Sequence, residues 1–201
     1  MSPLIGNERA LQLRRNRSRR ARFAVVLALS IATAWWPPCL AQSELQATEY
    51  KVKAAFLYKF AGYVEWPPQV FEKTDSPFVI GIAGADVLGD ELAQVVAGRS
   101  IEGRPVEVRK LRRGEALNGL QVLFIGRSDR GPSEVLASAK GRPVLTVTES
   151  EDAFAMGSMI NFVIVGDRVR FDVALRQAEM ANLKVSARLL SVARRVLGGS
   201  L

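Results

Sequence analysis

Between residues 44 and 64, apolar positions recur every three or four residues. Val52, Phe56, Phe60 and Tyr63 form one stripe, and Ala54, Leu57, Tyr58 and Ala61 form a second beside it. This spacing predicts a helix with two apolar sides, either buried on both within its domain or offering one to a partner. Trp66-Pro67-Pro68 ends it, because a residue before proline is driven out of the helical region.

From Phe78 onward short apolar runs alternate with helical patterns. Phe78 to Gly84 (FVIGIAG) reads as a strand, and Asp86 to Ala97 as a helix through Leu88, Leu92, Val95 and Val96, with Gly98 as its stop. Pro105 to Leu111 alternates Val106 and Val108 with charged residues, the pattern of an edge strand. Val122 to Gly126 reads as a buried central strand. Gly131-Pro132 opens a helix to Gly141, and Pro143 to Val147 is the next strand. Ile160 to Val165 and Val169 to Phe171 flank Gly166-Asp167-Arg168, a hairpin with suitable turn chemistry. Asp172 is placed to cap a helix from Val173 to Ala181, and Ser186 a last helix through Leu189, Leu190, Ala193, Val196 and Leu197 to Gly198. Strands joined by crossover helices predict a single-domain three-layer α/β sandwich, with a mostly parallel sheet, helices on both faces and a C-terminal β-hairpin.

The first 41 residues change the picture of charge and location. Seven arginines lie between Arg9 and Arg22, Phe23 to Trp36 is apolar, and Pro37-Pro38-Cys39-Leu40-Ala41 supplies small residues before Gln42. A 14-residue apolar run ended by two prolines falls short of the roughly 20 residues that span a bilayer. The segment reads as a secretory leader cleaved after Ala41, leaving residues 42–201 as the exported domain. The 28 Lys and Arg and 20 Asp and Glu of the whole chain fall to 21 and 19 beyond residue 41, so the net charge drops from +8 to +2. The basic balance belongs to the leader and gives no ground for nucleic-acid binding. Beyond residue 41 there is neither Cys nor His, which excludes thiol nucleophiles, Ser-His triads, thiolate or imidazole metal sites, disulfides and histidine switches.

Candidate sites follow from what remains. Phe56, Leu57, Phe60, Tyr63 and Trp66 are either core or the aromatic anchors of a partner surface. Asp86, Asp129 and Glu149 lie at the carboxyl ends of predicted strands, where open parallel sheets bind ligands near a reversal of strand order. Asp86 and Asp129, like Asp152, also precede helices, where capping employs carboxylates. Gly157 suits a tight entry into the strand that follows. Asn161, inside an apolar strand, needs hydrogen-bond partners, either a ligand or its own neighbours. No cofactor, metal or catalytic group is expected.

Two sets of residues resemble a known family. Lys53-Ala54-Ala55-Phe56-Leu57-Tyr58-Lys59-Phe60, followed by Val64-Glu65-Trp66-Pro67, is similar to the opening signature of the YfiR-like family of small periplasmic proteins. Gly157-Ser158-Met159-Ile160-Asn161-Phe162, then Arg170-Phe171-Asp172 and Leu183 to Leu190 (LKVSARLL), resemble its closing signature. The resemblance implies an α/β sandwich, often dimeric, and a regulatory role. Characterised members bind the periplasmic sensor part of an inner-membrane diguanylate cyclase and hold it inactive, lowering cyclic-di-GMP and biofilm formation; related domains occur fused to sensor kinases. Their cysteine pairs have no counterpart beyond residue 41, so a thiol switch does not carry over. The expectation is a non-enzymatic periplasmic regulator that represses a membrane signalling protein and forms a homodimer, with a periplasmic small-ligand-binding module as the alternative.

Overall fold

In the computed structural model the described residues are 39–198, with side chains described from Gln46 onward. The leader assigned to residues 1–41 lies almost wholly outside them. A compact body begins at Leu45.

Helix α1 (Cys39–Gly62) is long because no glycine or proline interrupts it after Pro38. Its buried positions are Lys53, Ala54, Leu57, Phe60 and Ala61, a stripe continued by Val64 at the start of the two-residue strand β1 (Val64–Glu65). The two predicted stripes are therefore rotated relative to the observed face: Val52 is exposed, whereas Lys53 is inside.

The sheet is built from β2 (Phe78–Ala83), β3 (Ser100–Ile101), β4 (Arg104–Leu111), β5 (Val122–Ile125), β6 (Leu145–Thr148), β7 (Ile160–Val165), β8 (Arg168–Ala174) and β10 (Arg195–Leu197). Its order is β10-β8-β7-β6-β5-β2-β4-β3, and only the β7–β8 and β3–β4 pairs are antiparallel. The expected mostly parallel α/β sandwich is thus observed. Strand β4 pairs on its outer side only with two-residue β3, close to the expected edge position. Strand β9 (Lys184–Val185) pairs with β1 outside the main sheet, Val64 opposite Val185. The hairpin turns at Gly166 and Asp167, both at positive φ (52° and 58°), as a tight two-residue connection requires.

Helices α2 (Asp86–Val96), α3 (Pro132–Ala139), α4 (Glu151–Ala155), α5 (Leu175–Met180) and α6 (Ala187–Val192) complete the layers. One sheet face carries the larger core, joining α1 and α2 to Ile80, Phe124, Val147, Phe162 and Phe171. The other face packs Leu123 and Ile125 against Leu136 and Ala139 of α3. Burying residues on both faces is what makes the central strands continuously apolar.

Two predicted elements differ. Strand β8 continues to Ala174, so Asp172 lies within a strand and caps nothing; α5 starts at Leu175 after Ala174. Ser186 does cap α6, accepting from the Leu189 N–H, but that helix stops at Val192 and the chain then forms β10. Both differences share one cause: Arg194 and Arg195 bind Asp172, which draws the C-terminal segment alongside β8 in parallel register.

Candidate functional site

The strand order reverses between β2 and β5, since β2 is followed by α2 to β4 on one side and has β5 on the other. Ligand crevices of open α/β sheets form at such a place. Here it is closed by backbone. Gly126 N–H donates to the Ala83 carbonyl at 2.8 Å, and a Cβ built on Gly126 would stand 2.5 Å from the Gly84 carbonyl oxygen. A Cβ on Gly84, at φ +64°, would stand 2.3 Å from the Asp129 backbone N. Both glycines are needed because the two loops interlock.

The three strand-end carboxylates meet different fates. Asp86 is exposed in the first turn of α2, with Ala85 as N-cap. Asp129 accepts from the Gly131 N–H at 2.8 Å, shaping the turn into α3. Glu149 is buried: it accepts from Lys53 through Oε2 and from the Arg127 N–H at 2.9 Å through Oε1. Lys53 also donates to Glu49 one turn earlier, and its ammonium lies 5.6 Å and 5.9 Å from the ring centres of Tyr50 and Phe162. A lysine is almost never fully buried unless paired; here two carboxylates and two aromatic faces replace its water.

The five aromatic and apolar residues of the predicted partner surface sit mainly inside. Leu57 and Phe60 are wholly buried, while Phe56, Tyr63 and Trp66 are half-buried. Phe56 and Phe60 stack at 5.8 Å and both meet Phe162 and Phe171 within 6.1 Å. Trp66 is edge-on to Phe78 at 5.0 Å, and its Nε1–H donates to the Gln121 carbonyl at 3.1 Å. In this fold those rings join α1 to the sheet.

On the α3 side of the sheet a polar row crosses four strands, with Thr148, Asn161, Asp172 and Arg195 as successive register partners. Thr148 Oγ1 lies 3.0 Å from both Ser158 Oγ and Asn161 Oδ1. Asn161 thus binds a neighbouring side chain; its buried Nδ2 has no partner among the described residues. Gly157 enters the strand at φ 110°, as its sequence position anticipates. Asp172 is fully buried and takes Arg194 in a two-pronged bond, Nε to Oδ1 at 2.7 Å and Nη2 to Oδ2 at 2.5 Å. Arg195 adds Nη2 to Oδ2 at 2.7 Å. Burial raises the Asp172 carboxyl, but the hydrogen bonds from Arg194 and Arg195 and their charges outweigh it and leave it below its ordinary value. The bond to Asp172 raises Arg194 in turn.

Sequence reasoning missed Lys53, Arg194 and Arg195. A lysine on the line Lys53, Leu57, Phe60, Val64 was the available signal, since it interrupts an otherwise apolar face. The arginine pair gave none, because a helical pattern absorbed it. Among the described residues no three acidic, Cys or His side chains gather as metal ligands. Glu149, Asp129 and Asp172 each accept internal hydrogen bonds, which hold the local shape of the strand ends and of the C-terminal segment.

No curated protein matches the sequence of this chain. The span from Tyr50, whose ring faces Lys53, to Arg194, which grips Asp172, coincides with a family model. On that match over residues 50–194, the chain belongs to the YfiR/HmsC-like family.

Proposed function

We propose that this protein is a periplasmic regulator that binds the periplasmic sensor part of an inner-membrane diguanylate cyclase and holds it in its inactive state, lowering cyclic-di-GMP. The observation that carries this reading is the family match, which extends over nearly the whole body. The internal bonds of Glu149 and Asp129 support a binding role over a catalytic one. Among the described residues no helix is long and apolar enough to cross a membrane, so the reading has the body engage its partner from outside the bilayer. Repression needs differential affinity: moving a two-state cyclase from 99:1 to 1:99 takes about 5.5 kcal/mol of preference for the inactive form.

A small-ligand module is the second reading. It draws on a cavity of about 280 Å³ beside Ala83, Leu111, Arg113 and Asp129, at the carboxyl ends of the strands. That volume is slightly below the roughly 300–1,000 Å³ usual for small-molecule sites, and the interlocked glycine loops limit its growth.

The test joins capture of the exported protein with its membrane partners to a cellular cyclic-di-GMP assay. A membrane cyclase retained on the protein, with cyclic-di-GMP rising when the protein is deleted, is the expected result. Unchanged cyclic-di-GMP together with an empty membrane fraction would overturn it, and a retained sensor kinase would replace the partner class.

A further inference from the structure

Two short helices, five-residue α4 and six-residue α5, respectively precede β7 and follow β8. Two cavities open there, about 600 Å³ between α3 and α5 and about 450 Å³ between α4 and β10; their walls share Ala155, Gly157 and Gln177. The two adjoin through these shared residues as a two-part groove. Met156 and Met180 line the larger cavity and are 54% and 63% exposed, high values for methionines beside a core. Leu197, 40% exposed, lines the smaller cavity.

The groove also has a charge character. Lys140 belongs to the wall of the larger cavity, Arg176 and Arg195 to that of the smaller, with Glu151 the one acid among these lining residues. Arg195 is committed to Asp172 and reaches Glu151 only at 4.0 Å, whereas Lys140 and Arg176 form no ion pair among the described residues. A largely apolar lining with one unpaired cation in each of two adjoining cavities suits an amphipathic segment that fills both better than a compact metabolite that fills one. Methionine suits such a lining, since its unbranched, polarisable side chain re-packs around different side chains.

From this geometry we infer that the Met156–Met180 groove is the docking surface for the membrane partner, and that it takes an amphipathic segment whose apolar side chains sit between the methionines while flanking carboxylates meet Lys140 and Arg176. The inference rests on the regulatory reading above and names the surface that reading leaves open. It also moves the contact away from the aromatic face of α1, where Leu57 and Phe60 are inside.

The experiment places a photoreactive amino acid at position 156, 180 or 87 of the full chain in cells that export it, and pairs crosslinking with the cyclic-di-GMP assay. Val87 is a control on α2, 58% exposed and on the other side of the sheet. The expected result is a crosslink to an inner-membrane signalling protein from 156 and 180 but not from 87. Lys140→Glu with Arg176→Glu should lower that crosslink at least tenfold at unchanged melting temperature and release repression. If the signalling protein crosslinks from 87 and not from 156 or 180, or if the double variant represses normally, the groove is overturned while the regulatory reading stands. If no signalling protein crosslinks from any position and deletion leaves cyclic-di-GMP unchanged, the regulatory reading itself falls.

Discussion

Lys53 donates to Glu149 across 96 residues of sequence, with side-chain exposures of 1% and 4%, and so pins the middle of α1 to the end of β6. A buried pair of this kind stabilises little relative to a well-packed apolar replacement, but losing one partner strands the other charge.

Lys53→Met should therefore cost about 3–5 kcal/mol, while Lys53→Met combined with Glu149→Gln, which keeps an acceptor for the Arg127 N–H, should recover a large part of it. Urea unfolding of the two variants and the unaltered protein measures this. A single variant that loses under about 1 kcal/mol would show that the pair is not buried in solution.

The Asp172 carboxyl, held below its ordinary value of 3.8, makes a pH-dependent contribution. A lowered carboxyl adds stability that is fully present above the unfolded value and is lost as pH falls through the folded one. Asp172→Asn should cost about 2 kcal/mol near neutral pH, and the gap to the unaltered protein should narrow as pH falls below 3.8. A gap that stays constant from pH 6 to pH 2.5 would contradict the arginine clamp.

Trp66 ties the entry of the sheet together, since Gln121 accepts from its indole and from the Val79 N–H at 2.7 Å. Trp66→Phe should lose about 1 kcal/mol for the hydrogen bond. Trp66→Ala should lose about 3 kcal/mol, the low end for truncating a buried aromatic, because the ring is half-buried. Thermal melting decides it: a Trp66→Ala protein that melts like the parent would return this side chain to the list of partner anchors.

The glycines of the interlocked loops give a contrast. Gly126→Ala, despite unremarkable φ, should cost about 1–3 kcal/mol through its clash with the Gly84 carbonyl. Gly84→Ala adds a positive-φ penalty to a contact with the Asp129 backbone and should cost more. Gly62→Ala, at the end of α1 with nothing within 4 Å, should be neutral or stabilise by up to about 1 kcal/mol. Equal melting temperatures for the Gly84 and Gly62 variants would contradict the close approach of the loops.

Local spacing carried most of the architecture. The apolar runs at Phe78, Val122, Leu145 and Ile160 became the central strands because residues buried on both faces leave no alternation to misread. The hairpin turn was legible in Gly166-Asp167, and the cap of α6 in Ser186, because both are short-range chemistry. The family signatures were legible for the same reason, as ordered local strings that the match over residues 50–194 spans. Tertiary structure decided everything that joins distant segments. The helical pattern of α6 continues through Ala193, Val196 and Leu197, yet β10 forms at Arg195–Leu197 because Asp172, twenty-two residues before Arg194, offers that arginine a buried carboxylate. The aromatic stripe of α1 is equally apolar on an interface or in a core, and only the sheet beneath it placed Leu57 and Phe60 inside. Lys53 is a surface residue by composition; it is a core residue because Glu149 waits at the end of β6, a proximity that no spacing along the chain encodes.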